Sequence, residues 1–317
     1  EKLELYLKFL EEHMSKIAFV YPGQGVQTVG MAQDFYENSV LSKEVFDKAD
    51  QVLDFDIKKI CFQENQEIND TEYTQAALVT TYLAITKEVE SRGIKPDVAA
   101  GLSLGEYAAI AVSGGFSYED AIKTVRQRGI LMNRAVPKGE GTMAAILGMT
   151  AEQIDNIVNK MENVSVANYN CPGQIVITGK KDAVEKAMES LKEAGARRTV
   201  ELNVSGPFHS QFLKEAGKKL GEQLEKVQFT PLTIPYVTNV TAQYVEDVNE
   251  TKELLIKQVY SPVRWEESVR NMIEKGVDTF IEIGPGKTIA GFLRKIDRNV
   301  KCINISQYED LKKLNQN

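Results

Sequence analysis

Short apolar runs alternate with longer stretches of helical spacing along most of this chain. "KIAFVY" at residues 16–21 is continuous enough for a buried strand. Residues 29–37 begin helical sequence, 71–93 have the apolar density of a long helix, and "PDVAAGLS" at 96–103 reads as a second buried strand. Further helix is predicted through Val112 and again over 118–134. Alternation of this kind implies a parallel sheet covered by helices on both faces. "PKGEG" at 137–141 then interrupts the helical pattern and reads as a linker.

The rhythm changes after the linker. A strand at 142–148, a helix at 151–162, strands at 164–169 and 174–179, a helix at 182–194 and a strand at 197–204 come in turn. This is the β-α-β-β-α-β order of a ferredoxin-like unit. Beyond Pro207 the spacing predicts a helix over 209–227, a strand over 234–240, a helix over 252–260 and a strand over 277–284 leading to another helix. The expected fold class is therefore α/β, with a larger domain of residues 14–138 and 207–317 and a small inserted domain at 139–206. Residues 1–13 ("EKLELYLKFLEEH") form an amphipathic segment unlike the strand-and-helix alternation of the remaining chain, and Met14 looks like the native start. They are expected to be an appended extension.

One serine stands where the second strand meets a helix. Gly101-Leu102-Ser103-Leu104-Gly105 has the G-x-S-x-G spacing of a nucleophile elbow, in which small flanking residues permit a strained turn that projects the hydroxyl. An ordinary N-cap serine would satisfy the same five positions. The chain has two histidines, and setting His13 aside with the extension leaves His209 as the sole imidazole for a base. "GPFHS" places it at a predicted helix N-terminus, where a base is readily held neutral.

Composition narrows the alternatives. A formal charge of −7 argues against nucleic acid as a bulk electrostatic partner, and no apolar run reaches membrane-spanning length. The three cysteines, Cys61, Cys171 and Cys302, lie far apart without C-x-x-C pairing, which suits a reducing cytoplasm better than a disulfide framework or a zinc site. Two glycine-rich loops invite nucleotide readings. "PGQGVQTVG" fails the dinucleotide pattern at Thr28, and "IEIGPGKT" fails the phosphate-loop pattern at Ile281.

The stretches "FVYPGQGVQTVGMAQ", "GLSLGEYAA", "VRQRGILM", "SGPFHS", "KQVYSPVRW" and "EIGPGKTIAGF" resemble, in order and spacing, the malonyl-CoA:acyl-carrier-protein transacylases of fatty-acid synthesis. The resemblance covers nearly all of the chain from Met14. It implies an α/β-hydrolase-like core with a ferredoxin-like insertion, and a ping-pong acyltransferase that passes malonyl through a serine ester. Ser103 matches the nucleophile and His209 the base. Gln258 matches the residue whose main-chain carbonyl orients the imidazole, in place of a triad carboxylate. Gln24 and Leu104 match the backbone donors of an oxyanion hole. Many relatives carry histidine before the serine, where this chain has Leu102.

For the malonyl carboxylate the 118–134 helix offers Arg126, Arg128 and Arg134. At about 100° per residue Arg128 lies roughly 60° from the centre of the apolar face, nearer the core than the other two. The resemblance selects the same residue, its R-G-x-x-M motif running from Arg128 to Met132, and it assigns Phe208 to narrowing the acyl pocket. A structural ion pair is the competing role for Arg128. The resemblance further implies malonyl-CoA and CoA as substrate and product, no permanently bound cofactor, a transient acidic acyl carrier protein as partner, and a monomer in the cytoplasm. Lys180, Lys181, Arg197 and Arg198 are candidate docking cations. The same Ser-His pair would serve a thioesterase or esterase. A catalytically idle carrier-binding module is a third reading, against which the intact pair counts.

Overall fold

The computed structural model describes residues 2–315. Six strands form the main sheet in the order β10-β9-β1-β2-β7-β8. They are β1 (Lys16–Tyr21), β2 (Val98–Gly101), β7 (Tyr236–Val237), β8 (Tyr244–Val245), β9 (Val277–Ile283) and β10 (Lys301–Ile305). All neighbours run parallel except β7 and β8. The apolar run of β1 shows why it is central. Phe19 and Tyr21 enter one core while Ala18 and Val20 enter another, so the strand is buried on both faces.

The helix Thr71–Ser91 closes the face that holds Phe19 and Tyr21. Asp70 caps its first turn by accepting from the Glu72 N–H. Two of its side chains fix it to the sheet: the Tyr82 hydroxyl donates to Pro22 O at 2.8 Å, and Thr86 shares a hydrogen bond of 2.8 Å with the Tyr21 hydroxyl. Trp265, Val269 and Met272 of the helix Trp265–Glu274 join Ala18, Val20 and Phe280 on the opposite face.

A second sheet, ordered β4-β5-β3-β6, is antiparallel throughout. Its strands are β3 (Gly141–Leu147), β4 (Val164–Cys171), β5 (Gln174–Lys180) and β6 (Arg198–Glu201), with helices Ala151–Val158 after β3 and Lys181–Glu193 after β5. Ala144, Ile146, Ile154, Ile175, Ile177, Val184 and Leu191 form a core separate from the other two. It meets the larger part where Val263 pairs with β4, donating to Ala167 O at 2.7 Å and accepting from the Tyr169 N–H at 2.9 Å.

Several expected elements are shorter. The helix expected from residue 29 begins at Gln33, after Ala32 turns through a left-handed conformation. The strand expected over 234–240 is reduced to Tyr236–Val237, because the chain then turns at 238–243 and returns as β8. Helices Val40–Val52 and Ile57–Phe62, absent from the sequence reading, pack Val45, Phe46, Ala49, Ile57 and Ile60 into the first core. The segment Lys2–His13 is helical, with Leu3, Leu5, Tyr6, Leu7 and Phe9 exposed. No helix among the described residues is long and apolar enough to cross a membrane.

Candidate active site

Strand β2 ends at Gly101 and the next helix begins at Gly105, leaving three residues for the reversal. A Cβ on Gly101 would lie 2.0 Å from Gly105 C, and one on Gly105 would lie 2.5 Å from Tyr21 O. Both glycines are therefore required by close approach, independently of their backbone angles. Ser103 sits between them at φ 52°, a left-handed conformation that costs a non-glycine residue of the order of 1 kcal/mol or more. The expected elbow forms, and its serine is strained.

The Ser103 hydroxyl is 2.9 Å from His209 Nε2, and His209 Nδ1 is 2.9 Å from Gln258 O. A main-chain carbonyl can only accept, so Nδ1 carries the proton and Nε2 is free to accept from Ser103. Burial pushes the His209 pKa down, the charge of Arg128 pushes it further, and the result is about 4 despite the hydrogen bond to Gln258 O. The imidazole is thus neutral at physiological pH. The expected cause was a helix N-terminus, and that is corrected. His209 lies in a turn at φ 59°, followed by a 3-10 turn at Gln211–Leu213, and the helix itself starts only at Lys214. Desolvation and a neighbouring cation do the work assigned to the helix.

Arg128 is fully buried. It donates to Gln75 Oε1 at 2.8 Å, to Gln258 Oε1 at 2.9 Å and to Ser103 Oγ at 3.0 Å. Those partners are neutral, and burial lowers its pKa. The other two arginines of the helix Tyr118–Asn133 and its cap have acids instead: Arg126 pairs with Asp54 at 2.8 Å and Arg134 with Glu72 at 2.8 Å. Only Arg128 among the three faces the serine without a carboxylate against it. Met132, one helical turn on, accepts a weak bond from Gln75 Nε2 at 3.5 Å, so Gln75 links it to the guanidinium. Phe208, beside His209, is buried in the first core.

The loop after β1 passes beside the elbow. Leu102 N–H donates to Tyr21 O at 3.0 Å, and Gly23 packs on Leu102. Gln24 follows Gly23 in this loop, its side chain held by a 3.0 Å hydrogen bond from Nε2 to Thr71 Oγ1. The N–H groups of Gln24 and Leu104 have no protein acceptor among the described residues. Leu102 itself is buried in the second core, where a histidine would have had to desolvate its polar edge.

Gln258 exceeds its expected part. Its side chain is completely buried. Oε1 accepts from Arg128, while Nε2 donates to Ser103 O at 3.0 Å and to Asn239 Oδ1 at 3.2 Å. Gln75, Asn239 and Glu106 are the buried members that sequence reading missed. Glu106, at the start of the elbow helix, accepts from the Asn239 N–H at 2.5 Å, and burial raises its carboxyl pKa to about 8. Lys180, Lys181, Arg197 and Arg198 are exposed on the smaller unit, with Lys180 Nζ 5.9 Å from the ring of exposed Phe212, three residues past His209.

Residues 18–309 match the family described as the acyl transferase domain. The chain is 46% identical over 303 residues to a malonyl CoA-acyl carrier protein transacylase of Bacillus subtilis, covering 94% of this chain and 96% of that relative. Its fold superposes on the crystal structure of a malonyl CoA-acyl carrier protein transacylase from Clostridium perfringens with a TM-score of 0.91 at 43% identity, covering 95% and 96% of the two chains. A malonyl-transacylase solved in complex with its type II PKS acyl-carrier protein gives 0.92 at 36% identity, covering 96% and 100%.

Proposed function

Because the chain belongs to the acyl transferase family, alongside the malonyl CoA-acyl carrier protein transacylases, we propose that Ser103 and His209 carry its chemistry as a dyad and that Arg128 selects the acyl group. The enzyme is an acyltransferase that moves malonyl from malonyl-CoA to an acyl carrier protein. The observation that carries the site assignment is a fully buried arginine, with no carboxylate hydrogen-bonded to it among the described residues, within 3.0 Å of the strained serine's hydroxyl. A guanidinium so placed offers a carboxylate two parallel charge-assisted hydrogen bonds.

The steps follow from the geometry. As Ser103 Oγ attacks the thioester carbonyl carbon, its proton passes to His209 Nε2. The carbonyl electrons move onto oxygen, and the N–H groups of Gln24 and Leu104 receive that oxyanion. Collapse re-forms the carbonyl and breaks the C–S bond, His209 returns its proton to the departing CoA sulfur, and malonyl remains as the Ser103 ester. The phosphopantetheine thiol of the carrier protein then reverses the sequence. Its proton goes to His209, its sulfur attacks the ester, and Ser103 Oγ leaves with the proton from the imidazolium. Gln258 O, a neutral acceptor, keeps the imidazole oriented throughout.

The fold names belong to the same reading. The parallel sheet supports an α/β-hydrolase-like core of residues 14–138 and 207–317, and the β4-β5-β3-β6 order supports a ferredoxin-like insertion at 139–206. Phe208 narrows the acyl pocket, Met132 and Gln75 brace Arg128, and Lys180 with its neighbours receives the carrier protein in a cytoplasmic monomer supplying fatty-acid synthesis. Rapid mixing with malonyl-CoA tests the assignment. The expected result is a burst of about one CoA per site and a stable Ser103 adduct, with turnover only after a carrier thiol is added. Steady CoA release without a thiol would instead make the protein a thioesterase.

A further inference from the structure

A serine held at φ 52° needs partners that leave it no other conformation. One side chain that holds its backbone comes from the loop after β7, 136 positions away in sequence. Asn239 Oδ1 accepts from the Ser103 N–H at 2.7 Å, and Asn239 Nδ2 donates to Gly101 O at 2.7 Å. One planar carboxamide thus bridges the residues on either side of Leu102. The bridge is itself fixed. The Asn239 N–H donates to Glu106 Oε1 at 2.5 Å, its carbonyl accepts from the Arg264 N–H at 3.0 Å, and Oδ1 also accepts from Gln258 Nε2. The residue is 1% exposed. Its hydrogen bonds reach neither His209 nor Arg128.

We propose that Asn239 is a positioning residue for acyl transfer, whose carboxamide locks the elbow and so sets the Ser103 hydroxyl and the Leu104 N–H in register with each other. The proposal rests on the assignment of Ser103 and His209 above. The role needs an acceptor and a donor on one short rigid group, aimed at the backbone N–H of one residue and the backbone carbonyl of another just before it. Asparagine supplies both. An ionised aspartate supplies only the acceptor and sets a negative charge against Gly101 O, whereas a protonated aspartic acid restores the donor. That difference makes the role visible in a pH profile.

The groups around this position are Glu106 and Tyr107 on the elbow helix, Tyr236 on β7, Arg264 directly before the helix Trp265–Glu274, and Arg128 and His209 across Gln258. Tyr107 and Tyr236 stay neutral, Arg128 stays charged and His209 stays neutral between pH 5 and 8, so Glu106 is the one neighbour that titrates there. Wild type carries the same Glu106 and serves as the reference.

The test measures single-turnover CoA release from malonyl-CoA between pH 5 and 8, with sulfonylation of Ser103 by phenylmethanesulfonyl fluoride in parallel. Asn239→Ala should acylate roughly ten- to a hundredfold more slowly, with the half-saturating malonyl-CoA concentration within about threefold of wild type, since a displaced nucleophile costs rate more than binding. Asn239→Asp should show a similar loss at pH 8 and recover relative to wild type as the pH falls. Both reagents should report the same ordering. An Asn239→Asp profile parallel to wild type, or an Asn239→Ala protein acylating at the wild-type rate, would overturn the proposal. If Asn239→Ala does not fold, the aspartate profile decides alone. Wild type that is sulfonylated but not malonylated would refute the substrate reading, and the sulfonylation ratios would still judge Asn239.

Discussion

Replacing Arg128 with methionine keeps most of the buried stem and removes only the charged fork, which isolates what the cation does. Its three hydrogen bonds go to neutral groups, so no carboxylate loses a hydrogen bond when it is replaced, although buried Glu106 loses a favourable nearby charge. A malonyl carboxylate in its place would lose two charge-assisted hydrogen bonds, each worth about 1.5–3 kcal/mol. The sum, about 3–6 kcal/mol, corresponds to a loss of roughly 10²–10⁴ in acylation by malonyl-CoA. Acetyl-CoA has no carboxylate to lose. Its rate should hold or rise, and the malonyl-to-acetyl preference should collapse by the same factor.

A second effect of that substitution has a definite sign. Burial and the Arg128 charge together hold His209 down at about 4. Without the charge, burial alone acts, and the pKa moves up toward its ordinary value without reaching it. The base must be neutral to work, so the acid limb of acetyl transfer should lie near pH 4 in wild type and at higher pH in Arg128→Met. Stopped-flow CoA release with both substrates from about pH 4 to 8, on protein shown to be folded by its melting curve, measures preference and limb together. Equal losses for malonyl and acetyl, with an unmoved limb, would show that Arg128 supports the fold and that the carboxylate is read elsewhere.

Three further outcomes are expected. Ser103→Ala and His209→Ala should each abolish nearly all turnover, and the double variant should be scarcely worse, because the pair acts as one unit; additive losses by steady-state kinetics would sink the dyad. Gln258→Ala should cost malonyl transfer more than acetyl transfer, since it keeps the carbonyl that orients His209 but removes the Oε1 that holds Arg128; equal losses in paired acetyl and malonyl assays would contradict this. Gly105→Ala should lower stability by about 2–3 kcal/mol, the cost of driving a Cβ into Tyr21 O, and an unchanged denaturation midpoint would mean that the elbow yields more easily than its contacts indicate.

The alternation of strands and helices is readable because β1 and β2 are buried on both faces and leave near-continuous apolar runs, and because β9, though interrupted by Asp278, Thr279 and Glu282, keeps Phe280 and Ile281 in opposite cores. The edges were harder to read. β7 and β8 have two residues each, too few for any period, and Ala32 interrupts the helix expected at residue 29 through a left-handed turn that its side chain does not announce. Helix Val40–Val52 was missed although its buried positions, Ser42, Val45, Phe46 and Ala49, are spaced for one face, because a serine and several charges dilute the apolar stripe.

The site divides in the same way, by whether a residue acts through local chain geometry or through distant contact. Ser103 was legible because the glycines that permit its turn lie within two positions, and Arg128 because helical phase alone separates it from Arg126 and Arg134. Neither His209's neutrality nor Gln258's side chain has any such signature. His209 owes its lowered pKa to burial and to an arginine 81 positions earlier in the chain, and a helix N-terminus was the nearest local explanation available. Asn239 leaves still less trace, since an asparagine two residues past a short strand reads as an ordinary turn former. Its carboxamide gains meaning only when β2 and β7 pair side by side, with Ala99 opposite Tyr236 and Ala100 opposite Val237. That register carries the chain beyond β7 to the end of β2, where Gly101 O and the Ser103 N–H wait for one donor and one acceptor. The pairing of two sheet strands therefore determines that Asn239 reaches the Ser103 turn at all.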